Sequence, residues 1–292
     1  MKTTVFNLFF ALLLFNFSFL IAQDDIETSN IQTYTPSKLL EKGKWDIKWF
    51  NNLYTQTQEE SNGITRDIPR SNFFTTSLEV FSGASDNRKV NLGVILEFRS
   101  NSIGGNSATS VFSFKNKTGE SRTGLSHFAP SIKIAPFSAL PRFSMQSSFF
   151  IPLFKEESNQ GVFLSEKSFI WQNRFFYDYT FKGDKFQFFS ELNTRLFLGD
   201  QAKGYANNSL ELTPGMFLSY FPTSKFTLLT FAQHSQLIKV SNNFSRNFTA
   251  LGFGSKYQLT NVLNVEVLYS NFVRGNDTGL GQSFNLGMRA IF

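Results

Sequence analysis

Catalysis and metal binding draw on a short list of side chains, and this chain is poor in the commonest of them. It contains two histidines, His127 and His234, and no cysteine. Disulfides, thiolate metal sites and a cysteine nucleophile are therefore excluded. Two histidines cannot build an ordinary zinc site unless carboxylates supply the remaining ligands. The sharpest catalytic arrangement is Gln233-His234-Ser235. A histidine takes a proton from a serine only within hydrogen-bond reach, whereas adjacent residues of a strand point to opposite faces. His234 and Ser235 are adjacent, so a regular strand separates them. The chain is read as a non-enzyme with no catalytic residue, no metal and no cofactor.

The charged residues are more informative. Asp46, Lys48, Glu97, Arg99, Lys133, Arg142, Arg174, Asp178, Glu191, Arg195, Glu211, Glu266 and Arg289 all fall on the polar half of stretches that alternate apolar and polar residues. On a strand such positions share one face. Wrapped around a lumen, they could line a hydrated path whose selectivity is set by rows of arginine and acid. The same residues could instead neutralise one another as ion pairs that plug a narrow barrel. The path is the leading reading.

The elements that must carry these residues are strands. Lys89 to Arg99 shows it most clearly, with Val90, Leu92, Val94, Leu96 and Phe98 on one face and Lys89, Asn91, Glu97 and Arg99 on the other. Similar runs are expected at about residues 44–57, 72–82, 122–136, 142–153, 169–181, 186–198, 208–221, 225–235, 247–259, 263–272 and 282–292. The facing of the 225–235 run is undetermined by pattern alone. About twelve strands result, an even number, as expected for a transmembrane antiparallel up-and-down β-barrel.

Connector lengths point the same way. Long connections at 58–70, 101–121 and 154–166 alternate with short ones near 83–88, 138–141 and 182–185, the asymmetry of outer loops and periplasmic turns. Within 101–121, the apolar patch Val111-Phe112-Ser113-Phe114 could fold inward as a constriction or continue the flanking strands above the membrane; continuation is preferred. The eight steps from Trp171 to Tyr179, at about 3.3 Å each and tilted near 40°, cover roughly 20 Å of membrane normal. That fits a lipid band with an aromatic girdle at each edge. Phenylalanine supplies 38 of 292 residues, too many for one globular core, and contact with lipid is its expected role.

Residues 1–22 have a basic start at Lys2, an apolar run from Val5 to Ile21 and a small residue at Ala22, the pattern of an exported leader. The expected organisation is a signal peptide at 1–22, a periplasmic segment at 23–43 and a barrel over 44–292. Net charge is +6 with lysines and arginines dispersed among acids, which argues against nucleic-acid binding. Expected partners are outer-membrane lipid and a small solute, with homo-oligomer formation an open option.

This plan resembles small outer-membrane channels and transporters of Gram-negative bacteria. The stretch Tyr34-Thr35-Pro36-Ser37-Lys38-Leu39-Leu40-Glu41-Lys42-Gly43-Lys44-Trp45, followed by Asn51-Asn52-Leu53-Tyr54-Thr55, resembles the opening of transporters grouped with aromatic-degradation pathways. The resemblance implies passive passage of a small solute across the outer membrane. Outer-membrane lipases and deacylases carry a His-x-Ser-Asn motif; here His234 is followed directly by Ser235 and Gln236, so a lipid hydrolase ranks below both a channel and a closed structural or adhesive barrel.

Overall fold

A computed structural model describes residues 38–241 and 244–292. The expected leader lies outside these residues, as does most of the 23–43 segment. Twelve long strands follow one another: β1 (Trp45–Ser61), β2 (Ile64–Gly83), β3 (Val90–Ser102), β4 (Ser121–Ile134), β5 (Phe143–Pro152) and β6 (Phe169–Thr180). The second half comprises β7 (Phe186–Leu198), β8 (Ser209–Tyr220), β9 (Phe226–Lys239), β10 (Arg246–Gln258), β11 (Leu263–Asn276) and β12 (Thr278–Ile291). Each pairs antiparallel with its neighbours in sequence, and β1 pairs with β12 to close the barrel. Closure leaves no unpaired edge, which is what a sheet surrounded by lipid requires.

The two ends differ as connector lengths predicted, with two corrections. The 58–70 connection is not a loop: β1 and β2 continue to Ser61 and Ile64 and turn tightly at Asn62 and Gly63, both at positive φ. Positive φ at both central residues is what a two-residue hairpin needs to match strand twist. The ladder skips Ile68 to Arg70 near the Gln56/Gln58 register shift, where Pro69 has no N–H to donate. The tips of the β1–β2 and β11–β12 hairpins are joined, with Asp277 N–H donating to Glu60 Oε2 at 2.8 Å.

The second correction concerns 101–121. It neither folds inward nor extends the strands. A 3₁₀ turn over Ala108–Ser113 lies against the outer face of β2 and β3, with the Phe112 ring 5.1 Å from Phe74 and Phe114 5.7 Å from Phe98. Ser100 Oγ donates to the Val111 carbonyl at 2.6 Å, and Asn72 Nδ2 to the carbonyls of Asn106 and Ser107, both at 3.1 Å. Outward-facing polar groups of the strand ends are thus satisfied by loop carbonyls, a constraint the apolar pattern of 111–114 does not reveal.

Facing follows the alternation. Leu92, Val94 and Leu96 stand exposed on the outer wall, as do Trp171, Tyr177 and Tyr179, while Asn91 and Lys133 are buried inside. On β9, Leu229, Phe231 and Gln233 face inward and His234 outward, because Leu229, Phe231 and Gln233 line the interior. The expectation that phenylalanine belongs to lipid holds for only part of the set. Phe50, Phe81, Phe176, Phe189, Phe217 and Phe231 line the interior. Their parity shows it: Phe176 falls on the same face as Arg174 and Asp178, and Phe189 on that of Gln187 and Glu191.

Candidate functional site

The barrel encloses a cavity of ≈ 450 Å³, within the usual size range of small-molecule sites. Near the end with short turns its wall is ionic. Arg289 forks onto Asp46, Nε to Oδ1 at 2.8 Å and Nη2 to Oδ2 at 2.6 Å, across the β1–β12 seam. Arg174 meets Glu191 at 2.7 Å between β6 and β7, and Lys256 meets Glu266 at 2.7 Å between β10 and β11. Each pair joins adjacent strands, Lys256 directly opposite Glu266 and the other two offset by two residues along their ladders, so it neutralises the wall locally. Lys48 Nζ stands 5.0 Å over the Phe50 ring, and Lys133 Nζ 5.4 Å over Phe176.

Interleaved with these pairs the inner wall is aromatic, with Phe176 and Phe189 on the short-turn side of Arg174 and Glu191. Rings run from strand to strand as Phe176–Phe189 at 6.0 Å, Phe189–Phe217 at 5.4 Å and Phe217–Phe231 at 5.3 Å, spanning β6 to β9. Phe231 then lies over Gly252 on β10, where an added Cβ would overlap the ring. A second arc runs Phe248–Phe272 at 4.3 Å, Phe272–Tyr54 at 4.8 Å and Tyr54–Phe73 at 6.1 Å. Gly281 on β12 lies under the Tyr54 ring and lets it reach across that strand. The two arcs present apolar faces on eight of twelve strands, an arrangement suited to a solute with an apolar body.

The opposite end, where connections are long, is filled. Glu166, in the connection between β5 and β6, approaches Arg99 Nη1 at 3.6 Å and Arg246 Nη2 at 3.8 Å and accepts from Tyr205 Oη at 3.2 Å. Arg99 also holds Glu97 at 2.8 Å, Arg195 holds Glu211 at 3.1 Å, and Ser126 Oγ donates to Glu97 at 2.6 Å. Burial alone would raise the pKa of Glu166, but the guanidinium groups of Arg99, Arg195 and Arg246 outweigh it and hold it down at about 2. For Glu157, burial dominates and the pKa is raised, while the backbone N–H groups of Lys167 and Tyr205 oppose the shift. Asn101 Nδ2 reaches in from β3 to the carbonyls of Phe163 and Leu164 at 2.7 and 3.0 Å. Ile170, Phe197, Leu237 and Ala206 form a buried apolar cluster beside this network.

The sequence-derived lumen set therefore divides by place. Asp46, Lys48, Lys133, Arg174, Glu191, Glu266 and Arg289 line the cavity. Glu97, Arg99, Arg195 and Glu211 belong to the network at the loop end. Asp178 is buried but outside the cavity wall. Arg142 is a correction: it precedes β5, is exposed at the rim, and stacks its guanidinium 5.0 Å over the outward Tyr179 ring. A strand that begins at Phe143 cannot impose inward facing on the residue before it. Sequence reading missed the inward phenylalanines, Tyr205 and Glu166; the last two lie in connections, where no period marks an inward position. Arg246 sits at the very start of β10, where the pattern is too short to read.

His234 Nδ1 pairs with Thr249 Oγ1 at 3.0 Å on the outer side, whereas Ser235 Oγ donates inward to Glu211 at 3.3 Å. The two do not form a proton-transfer pair. Among the described residues no group of three His, Asp or Glu could hold a metal ion.

No protein-family model matches the sequence, and no curated protein matches it either. Solved structures do. An outer membrane channel from Pseudomonas putida F1 superposes with a TM-score of 0.69 at 9% identity, covering 92% of this chain and 100% of that one. The β domain of a Bordetella autotransporter gives 0.56 at 12% identity, covering 85% and 99%. Identities this low carry fold and not activity. The chain has the fold of an outer-membrane β-barrel, closed by twelve antiparallel strands.

Proposed function

We propose that this protein is a passive outer-membrane channel for small solutes, working without energy coupling and without covalent chemistry. The single observation that carries the reading is the ≈ 450 Å³ cavity inside a closed barrel, walled by locally paired charges and aromatic arcs. A barrel whose interior served only to hold it together would fill that space with packed side chains. The short-turn end faces the periplasm and the long connections face outward, in keeping with the architecture. The ion pairs keep the wall polar, and the rings give an apolar solute a surface to move along. Planar-bilayer recording of the purified barrel is expected to give stepwise conductance. Arg174→Glu, which reverses a cavity charge, is expected to shift the reversal potential toward cations. A correctly folded barrel that stays silent overturns the reading.

A closed structural barrel is the second reading. The filled loop end, with Glu166 between Arg99 and Arg246, favours it, and the same recordings decide between the two.

A further inference from the structure

Two polar atoms toward the loop end of the cavity are buried without a partner. Among the described residues neither Arg246 Nε nor the Tyr54 hydroxyl makes a hydrogen bond, although both atoms are shut off from solvent. A donor left unpaired in a protein interior costs free energy that an incoming acceptor recovers. The two atoms belong to one place, because the Arg246 guanidinium is the charge that acts on the Tyr54 hydroxyl. Arg246 stands on β10 two residues before Phe248, and Tyr54 on β1 two residues beyond Asn52. Each therefore shares the inward face with a residue of the cavity wall.

Their chemistry selects an anion. Both groups can donate and one belongs to a cation, so a carboxylate, with two acceptor oxygens, satisfies both at once. The acids already present do not do so: Glu166 and Glu211 approach Arg246 through Nη2, at 3.8 and 3.5 Å, and leave Nε without an acceptor. Beside those two acids a doubly charged phosphate would be repelled more strongly than a single carboxylate. Flat rings lie next to the pair, with Phe272 4.8 Å from Tyr54 and Phe248 4.3 Å from Phe272. Both phenylalanines line the cavity, so a carboxylate held at Arg246 lays its apolar body against them. The rest of the cavity wall carries five cations and four acids, a balance that favours approach of an anion.

We propose that Arg246 Nε and the Tyr54 hydroxyl form a binding site for the carboxylate of a small solute whose apolar body packs on Phe248 and Phe272. The role of the site in passage rests on the channel reading; binding itself does not. Equilibrium dialysis of radiolabelled benzoate against the folded full-length barrel reads it directly. Benzoate is expected to saturate the site, and benzamide, its neutral counterpart, to compete about tenfold more weakly. Tyr54→Phe removes a hydroxyl that makes no hydrogen bond, so the barrel should keep its urea midpoint while the benzoate Kd rises roughly fivefold. Arg246→Lys keeps the charge but lacks the guanidinium fork, and should weaken binding on the order of tenfold. Arg142→Gln, which removes a cation at the outer rim, should leave binding unchanged. Absence of saturable benzoate binding overturns the proposal, and so does a Kd that Tyr54→Phe and Arg246→Lys both leave unchanged. Saturable, Tyr54-dependent binding in a barrel silent in planar bilayers removes the channel reading and leaves the site; a conducting barrel without such binding does the reverse.

Discussion

Replacing Glu166 by glutamine tests how the loop end is held. The substitution keeps an oxygen for Tyr205 Oη and removes only the charge that faces Arg99 at 3.6 Å and Arg246 at 3.8 Å. The fall of the Glu166 pKa from 4.5 to about 2 means that the charged form favours the docked loop by about 3 kcal/mol over a neutral one. Breaking a buried ion pair from one side has a similar cost, about 3–5 kcal/mol. The lower figure fits here, because Arg99 keeps Glu97 and Arg246 keeps Glu211. Loss of about 3 kcal/mol multiplies the undocked population on the order of 100-fold. Leu164 N–H, which donates to the Glu157 carbonyl at 2.7 Å, reports that population through amide exchange in detergent or lipid discs. Glu166→Gln should speed its exchange on the order of 100-fold while leaving amides of β1 and β12 unchanged. An increase below about threefold would show that the ionic network does not hold the loop, and that the apolar cluster around Ile170 and Phe197 does.

Acid should act through the same group: the contribution of Glu166 is complete above about 4.5 and is lost as pH falls toward 2, so Leu164 exchange, corrected for intrinsic rate, should rise in that window and stay flat in Glu166→Gln. Glu157, whose pKa is raised, works in the opposite sense, and loop docking should weaken as pH rises from the ordinary carboxylate range to its raised value; Glu157→Gln should abolish that slope. Asp46→Asn strands the Arg289 fork at the closing seam and should cost about 3–5 kcal/mol in folding stability, read from urea unfolding in vesicles; a loss under about 1 kcal/mol would mean the seam is held by backbone pairing alone. Gly252→Leu should displace the Phe231 ring and cost about 1–3 kcal/mol by overpacking, with an altered conductance as its second readout.

The sequence was readable wherever one physical rule acted on many residues. Alternation at Lys89 to Arg99 needs only the period of a strand and two unlike solvents on its two sides. The same rule located twelve strands and placed Asp46, Lys48, Arg174 and Arg289 on the inner wall before any contact was known. It was less informative where a single residue type suits both solvents. Phenylalanine packs against lipid and equally lines a lumen, so Phe176, Phe189 and Phe231 betray their side only through the parity of neighbouring charges.

Strand number, the facing of the clearly alternating strands and the absence of thiol chemistry were thus decided by the sequence itself, because each depends on local period or composition; the facing of β9 was not. Tertiary structure alone decided which charges meet. Arg289 and Asp46 are at opposite ends of the chain and become partners only when β12 closes on β1. Glu166 joins Arg99 and Arg246 only because its connection folds into the mouth. Pairing across a closed sheet and the path of a loop are set by contacts distant in sequence, and no periodicity records them.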